Sequence, residues 1–290
     1  MLIHAPAKLN LCLYLGSRRA DGLHELCSLF EPLALADLIE VSEAERDEVR
    51  CPGVDGENLA ARALAALRER GWERPPLRVE IEKRIPVAAG LGGGSADAAA
   101  VLRLARDSVE WPGGRIPDLN EIAAELGADV PSQLVPSLSL VRGAGELVDR
   151  LPDPASHVVV LLSGGGGLGT AEVFAEADRL GLGRSGSELE ELAERLRRAA
   201  GAGRSPLDYA DLLVNDLEPA ARSLRPEIGE ALDALRAAGA PLAFLTGSGP
   251  TACGIFPAIA GAKSTAARLN RDDAIVCAAG RVGPEAEGGP

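Results

Sequence analysis

The stretch KRIPVAAGLGGGSADAAA, residues 83–100, decides how this chain is interpreted. A β-like run over 77–81 precedes it, four glycines lie within positions 90–94, and an alanine-rich helix is predicted from an N-cap at Ser95 to about Arg106. A glycine-rich turn lets backbone N–H groups approach a ligand, and the first helical turn adds unpaired N–H groups and a positive dipole end. The alternative is a tight turn that only starts a buried helix. Four glycines exceed what such a turn needs, so the pattern favours a phosphate-binding loop.

Two familiar kinds of phosphate loop do not match this stretch. A P-loop requires Lys and then Ser or Thr directly after its last glycine, but Gly94 is followed by Ser95 and Ala96. A dinucleotide-binding loop requires the spacing G-x-G-x-x-G, and counting from Gly90 places Ser95 where the last glycine should stand. Instead of capping the helix, the Ser95 hydroxyl could bind a phosphate or a metal ion.

The composition excludes several classes of protein. The net charge of −13 argues against a nucleic-acid or acidic-membrane partner, because such binding needs a basic face. The sequence has no run of about 20 apolar residues, so no membrane span is predicted. Residues 1–11 lack the basic start and apolar core of a signal peptide, and we therefore expect a cytoplasmic protein. The five cysteines are scattered and are expected to be reduced.

The proline-containing segment LPDPAS, residues 151–156, is the best candidate for a domain boundary. It predicts two domains, 1–152 and 153–290, and the mixture of helical and strand patterns predicts an α+β fold. Helices are predicted over 57–70, 187–200 and 258–270, with two more within 206–239 and a strand over 274–278.

A second glycine-rich segment offers a competing interpretation. Gly164, Gly166 and Gly169 match G-x-G-x-x-G directly after a predicted strand. A dinucleotide site should be followed by a second strand that ends in an acidic residue, but residues 187–200 form a charged helical pattern. An NAD-binding enzyme is therefore the weakest alternative.

Lysine is rare in this chain, since only Lys8, Lys83 and Lys263 are lysines among 30 basic residues. In the strand predicted over 2–15, Lys8 and Asn10 alternate with leucines and so share one face. A lysine kept where arginine is otherwise used suits a site that needs a compact positive charge. An ordinary half-exposed strand is the alternative.

Three further polar segments are candidates for a site. His24 follows the turn at Asp21-Gly22, and Asp129 lies in a turn before Pro131, where a carboxylate is usually a helix cap or solvated. Residues 246–249, TGSG, separate two β-like runs. They form either a simple hairpin tip or the wall of a pocket that faces the first glycine loop.

Taken together, these stretches resemble the GHMP small-molecule kinases. The resemblance covers nearly the whole chain, through APAKLNL (5–11), RRADGLHEL (18–26), NLAARA (58–63), IPVAAGLGGGSADAAA (85–100), LGADVP (126–131), VNDLE (214–218) and LTGSGPTACGIF (245–256). It implies a two-domain α+β fold with a ribosomal-protein-like N-terminal domain and a ferredoxin-like C-terminal domain.

The resemblance also implies a reaction and its participants. ATP, with Mg²⁺ bridging phosphate oxygens, would phosphorylate the 2-hydroxyl of a cytidine diphosphate-linked polyol on the non-mevalonate route to isoprenoid precursors. Lys8 and Asp129 match the catalytic pair, in which the aspartate accepts the hydroxyl proton and the lysine stabilises the developing charge. The expected partner is a small molecule, with no nucleic acid and no membrane. The sequence assigns neither a metal ligand nor an oligomeric state.

The same resemblance assigns binding residues. The ATP-binding positions are Pro86, Val87, Ala88, Ala89, Gly90, Leu91, Gly92, Gly93, Gly94, Ser95 and Ala96, with Asn58 near the adenine. The substrate-binding positions are Asn10, His24, Thr170, Phe174, Gly247 and Ser248, of which His24 would contact the edge of the cytosine.

Departures from the family pattern fall mostly on the substrate side. Leu23 stands where the family usually has an aromatic residue able to stack on cytosine, and Ala96 replaces a common serine. A GHMP-type kinase of another small alcohol is therefore one alternative. A non-catalytic nucleotide-binding homologue is another, although the presence of both Lys8 and Asp129 speaks against it. Asp97 could order the loop or approach the metal, and the sequence does not choose between these roles.

Overall fold

A computed structural model describes residues 1–54, 56–106, 111, 117–163 and 166–280. The chain divides into two compact units made of interleaved segments. The first unit comprises Met1–Ala7, Leu35–Val87 and Gly92–Pro136, and the second comprises Lys8–Ala34, Ala88–Leu91 and the chain from Ser137 onward. The predicted boundary between residues 152 and 153 remains a prediction.

The secondary structure mixes helices and strands, and the α+β prediction is confirmed. The strands are β1 (Leu2–Arg18), β2 (His24–Glu43), β3 (Glu48–Arg50), β4 (Leu77–Glu82), β5 (Ser139–Gly143), β6 (Leu147–Arg150), β7 (Val158–Ser163), β8 (Leu242–Leu245), β9 (Thr251–Phe256) and β10 (Ala274–Ala278). The α-helices are α1 (Leu59–Glu69), α2 (Gly93–Arg106), α3 (Leu119–Leu126), α4 (Val130–Gln133), α5 (Thr170–Leu180), α6 (Gly186–Ala200), α7 (Glu218–Leu224), α8 (Glu227–Ala237) and α9 (Ile259–Leu269), and Pro206–Leu212 form a 3₁₀ helix.

The first unit packs helices against a small sheet. The C-terminal part of β2 pairs antiparallel with β4 in the register Val41↔Val79, and β3 pairs parallel with β4. The inward residues of these strands join Leu67 of α1 and the alanines of α2 in one hydrophobic core. Alanine lets α2 approach its neighbours in this unit closely, and this packing helps to hold the start of α2 at Gly93.

The second unit is built on an antiparallel sheet in the order β10-β7-β9-β8. Alternate residues such as Val160 and Leu162 of β7 face a core that also contains Leu232 and Leu235 of α8. The N-terminal part of β2 pairs antiparallel with β5, and β5 pairs with β6. The β8–β9 hairpin carries the predicted TGSG tip at residues 246–249.

Most predicted helices and strands are confirmed, but the number of helices predicted over 206–239 is wrong. Asn58 caps α1 by accepting hydrogen bonds from Ala60 N and Ala61 N, and α6, α9 and β10 lie where they were predicted. The region 206–239 forms a 3₁₀ helix and two α-helices, rather than the two helices that were predicted, because a non-helical backbone at Leu213 separates the first from the second. Gly164 of the alternative dinucleotide motif lies outside the described residues. Among the described residues, none of the helices combines the length and the apolar character needed to cross a membrane.

Candidate active site

The glycine loop leads directly into α2 in the first unit. Gly92 has a φ of +70°, and Ala96 N donates to Gly92 O over 2.9 Å, so the helix begins at Gly93. Ser95 therefore lies inside the first turn, and the prediction that it is the N-cap is wrong. The first N–H groups of a helix have no acceptor within it, so this turn offers donors to an anion.

A buried charge cluster holds this helix start. Lys83 Nζ lies 2.5 Å from Asp37 Oδ2 and 2.8 Å from Asp97 Oδ2. The other Asp37 oxygen accepts from the backbone nitrogens of Arg84 and Ile85, at 2.6 and 2.8 Å. Burial raises the pKa of the Asp97 carboxyl to about 7, against the opposing effect of the Lys83 ammonium. Asp97 thus links α2 to the end of β4, which supports its role in ordering the loop.

The close packing of Lys83 and Asp37 explains why residue 93 is a glycine. A Cβ at Gly93 would lie 3.1 Å from Lys83 Nζ and 3.4 Å from Asp37 Oδ2. A side chain at position 93 would crowd Lys83 and Asp37. The charge cluster can therefore lie beside the start of α2 only because residue 93 is a glycine.

The middle of the loop, Ala88–Leu91, belongs to the second unit and contacts the TGSG tip. Thr251 Oγ1 donates to Ala89 O over 2.7 Å, and a Cβ at Gly90 would lie only 2.5 Å from Gly249 O. Lys8 N donates to Leu91 O over 2.9 Å. The tip is therefore more than a simple hairpin, since it packs against residues 88–91 of the glycine loop.

Lys8 and Asn10 share a buried face of β1, and the alternative of a half-exposed strand is wrong. Lys8 Nζ donates to Asn10 Oδ1 over 2.5 Å and lies 4.8 Å from the centre of the Phe30 ring. Asn10 Nδ2 donates to Ser28 Oγ, and Asn10 N donates to Thr246 Oγ1. Only 6% of Lys8 is exposed, so its ammonium is held in one position rather than moving in solvent.

His24 stands beside helix α5, also in the second unit. Its Nε2 lies 2.8 Å from Asp178 Oδ1, and its ring centre lies 5.2 Å from that of Phe174 at an interplanar angle of 42°. At the start of the same helix, Thr170 Oγ1 and Ser248 Oγ are 3.0 Å apart. Leu23 points outward, with 54% of its surface exposed.

Asp129 and Asn58 lie in the first unit. Asp129 precedes α4, and its side chain makes no capping hydrogen bond to that helix. The interpretation of Asp129 as a helix cap is therefore wrong. The side-chain oxygen of Asn58 is used in capping α1, so a ligand would meet the Nδ2 amide group.

Two family models match this chain. One is described as the GHMP kinases N terminal domain and matches residues 58–136, and the other is described as GHMP kinases C terminal and matches residues 207–273. A protein of Thermobifida fusca named 4-diphosphocytidyl-2-C-methyl-D-erythritol kinase is 40% identical over 283 residues, which cover 92% of this chain and 90% of the relative. The chain belongs to the GHMP kinases. It is accordingly a small-molecule kinase.

Further comparisons agree with this membership. A Mycolicibacterium gilvum protein of the same name is 41% identical to this GHMP kinase and covers 90% of it, with 83% of the relative matched. A crystal structure of 4-(cytidine 5'-diphospho)-2C-methyl-D-erythritol kinase superposes with a TM-score of 0.78 at 34% identity and covers 97% of this chain and 100% of the other. The mevalonate kinase of Methanococcus jannaschii, at 14% identity and a TM-score of 0.63 over 98% of both chains, shares the fold.

The structure of this GHMP kinase also shows residues that the sequence reasoning missed. Asp37 and Asp178 were not singled out, and Lys83 was noted only as a rare lysine. Asn215, which donates to Leu245 O and Gly247 O and so fixes the base of the hairpin tip, was noted only within the VNDLE motif. One signal was present for Asp178, since it follows Phe174 by four residues and so shares its helix face.

Proposed function

We propose that this kinase transfers the γ-phosphoryl group of ATP to the 2-hydroxyl of 4-diphosphocytidyl-2-C-methyl-D-erythritol, in the cytoplasm, as a step of the non-mevalonate route to isoprenoid precursors. The names of relatives at about 40% identity support this substrate. The observation that carries the proposal is the buried Lys8 ammonium held by Asn10 at 2.5 Å, because a fixed cation suits the charge that develops in phosphoryl transfer.

Each residue of the proposed site has its own role in this reaction. The N–H groups at the start of α2 bind the phosphates of ATP, and Asn58 contacts the adenine. Asp129 accepts the proton of the substrate hydroxyl, and Lys8 stabilises the oxygen that attacks. Asn10 keeps Lys8 in position. Positioning and electrostatics supply most of the catalysis in phosphoryl transfer, so no covalent intermediate is needed.

Magnesium fits the donors that are present. Mg²⁺ usually binds through phosphate oxygens, waters and few protein groups, so it needs no dedicated acidic cage. Among the described residues, none of the His, Cys, Asp and Glu side chains form a cluster of three able to hold a metal. Within that same part of the chain Ser95 Oγ has no hydrogen-bond partner, and Ser95 is the residue that we assign to the ion. When bound, Mg²⁺ neutralises phosphate charge.

The substrate assignment is tested by phosphorus NMR. The kinase is incubated with MgATP and 4-diphosphocytidyl-methylerythritol, and in parallel with MgATP and methylerythritol phosphate. A new phosphomonoester signal that requires the cytidylyl group is the expected result. Reaction of the second alcohol alone would favour a kinase of another small alcohol, the candidate suggested by Leu23. ATP binding without any phosphorylation would favour a non-catalytic homologue.

The role of Asp129 is tested by Asp129→Asn. The amide cannot accept the hydroxyl proton, so we expect turnover to fall by about 100-fold or more while ATP binding stays nearly unchanged. Single-turnover rates and nucleotide titrations measure the two effects. A variant that kept most of its kcat would remove Asp129 from the mechanism.

A further inference from the structure

His24 is held from one side by helix α5. Phe174 and Asp178 lie four residues apart on that helix, and both contact the imidazole, one with its ring and the other with its carboxylate. His24 is 8% exposed, whereas the Asp178 side chain is 46% exposed. The contact is therefore a nearly buried ring oriented by a carboxylate at the surface.

The hydrogen bond assigns the protons of the imidazole. A carboxylate accepts hydrogen bonds and has no proton to give, so the Nε2 that lies 2.8 Å from Asp178 Oδ1 is the nitrogen that carries hydrogen. In a neutral imidazole the other nitrogen, Nδ1, then bears a lone pair. Within the described residues His24 Nδ1 has no hydrogen-bond partner, so this lone pair is available to a ligand.

We propose that Asp178 is a positioning residue that fixes the Nε2–H tautomer of His24, so that Nδ1 accepts a hydrogen bond from the exocyclic amine of cytosine and the kinase prefers cytidine to uridine substrates. This inference rests on the proposed function. Uracil carries an oxygen where cytosine carries the amine, so the same nitrogen would face a second acceptor and lose its hydrogen bond. Asp178 thereby contributes to base selection without contacting the base.

The kinetic test compares two substrates that differ only in the base, 4-diphosphocytidyl-methylerythritol and its uridyl analogue. We expect Asp178→Ala to lower the ratio of kcat/KM for cytidine over uridine by about tenfold, the size expected for one hydrogen bond. The asparagine oxygen of Asp178→Asn still accepts from Nε2–H, so this variant should restore most of the ratio. Glu176→Ala is the matched control, because Glu176 lies on the same helix but binds Arg179 and Ser223.

The spectroscopic test uses ¹⁵N-labelled histidine in the full chain. The chain has only three histidines, and the His24 signals are identified by their loss in His24→Gln. In the wild type we expect a protonated Nε2 and an unprotonated Nδ1, and in Asp178→Ala a mixture of the two neutral tautomers. A merely structural contact between α5 and His24 would leave the tautomer ratio unchanged.

The outcomes separate this inference from the proposed function. If the wild type does not phosphorylate the cytidyl substrate, the proposed function fails. If the wild type does so and Asp178→Ala keeps the same base ratio, the proposed function stands and the role of Asp178 is refuted. Observation of Nδ1–H in the wild-type protein would also refute it, since the acceptor that selects cytosine would be absent.

Discussion

Two histidines of the second unit each contact a carboxylate, yet their surroundings give them different tasks. His157 and Glu31 are both 0% exposed, and the two histidine nitrogens face Glu31 Oε2 at 3.1 Å and Ala155 O at 3.0 Å. Both neighbours accept hydrogen bonds, so they favour the doubly protonated, positively charged form of His157 and raise its pKa. Within the described part of the chain His24 has one such acceptor, and that acceptor is exposed. The two histidines therefore differ in the burial of the carboxylate and in the presence of a second acceptor, and these differences are the basis for the separate roles that we propose for them.

The largest expected effect comes from removing the buried carboxylate. Glu31→Ala leaves the His157 imidazolium without its counter-charge in the interior, and we expect the free energy of unfolding to fall by about 3–5 kcal/mol. Urea denaturation at pH 7 measures the change. A loss below about 1 kcal/mol would mean that the buried pair is no more important to the fold than a surface pair.

A second prediction compares the same substitution at the two histidines. His24→Gln removes the ligand-facing nitrogen, and we expect the KM for the cytidyl substrate to rise about tenfold while the melting temperature stays nearly unchanged. His157→Gln, the matched substitution in the interior, should lower the melting temperature and leave the KM of the folded enzyme as it was. Equal effects of the two substitutions on KM would contradict the separate roles proposed for the two histidines.

Part of the pH dependence of the free energy of unfolding should come from His157. Although burial alone would lower the pKa of His157, the hydrogen bond and charge of Glu31 overcome it and raise this pKa above the ordinary value. The stabilisation is therefore complete below about pH 6.5, the pKa in the unfolded chain, and is lost as the pH rises through the higher folded pKa. Each unit by which the folded pKa of His157 exceeds the unfolded pKa contributes about 1.4 kcal/mol to the free energy of unfolding. Unfolding experiments from pH 5.5 to 8.5 should show this decline in the wild type and a smaller one in His157→Gln, where the Asp97 carboxyl, with its pKa raised to about 7, still lowers the stability as the pH rises.

The smallest expected effect is that of Asp178→Ala on stability. The Asp178 side chain is 46% exposed, and exposed ion pairs contribute about 0–1 kcal/mol. We therefore expect a change in unfolding free energy below about 1 kcal/mol, measured in urea beside Glu31→Ala. A loss as large as that of Glu31→Ala would make His24 a second structural histidine and would remove the contrast between the pairs.

Local patterns made much of this molecule predictable. The glycine loop before an alanine-rich helix, the cap at Asn58 and the alternation of Lys8 and Asn10 along β1 all depend on residues that are close in sequence. The wrong prediction that Ser95 is the N-cap of α2 also has a cause close in sequence. A serine after a glycine run suggests an N-cap, but the carbonyl of Gly92 already accepts from Ala96 N and starts the helix earlier.

The partners of the site residues were not predictable in the same way. His24 meets a carboxylate 154 positions away, Lys83 meets Asp37 across 46 positions, and Asn10 meets Thr246 across 236. Acidic residues are numerous in this chain, so the sequence gives no reason to select Asp37 or Asp178. These pairings arise only when the strands and helices pack.

The sequence by itself determined the family, the α+β class and most helices and strands, because capping, periodicity and glycine spacing act over a few residues. Only the tertiary structure decided that Asp97 pairs with Lys83, that the hairpin tip packs against the loop, and that His157 is buried in the interior while His24 contacts an exposed carboxylate. The physical reason is that burial and charge pairing depend on which distant segments come together in space. A short stretch of sequence does not contain that information.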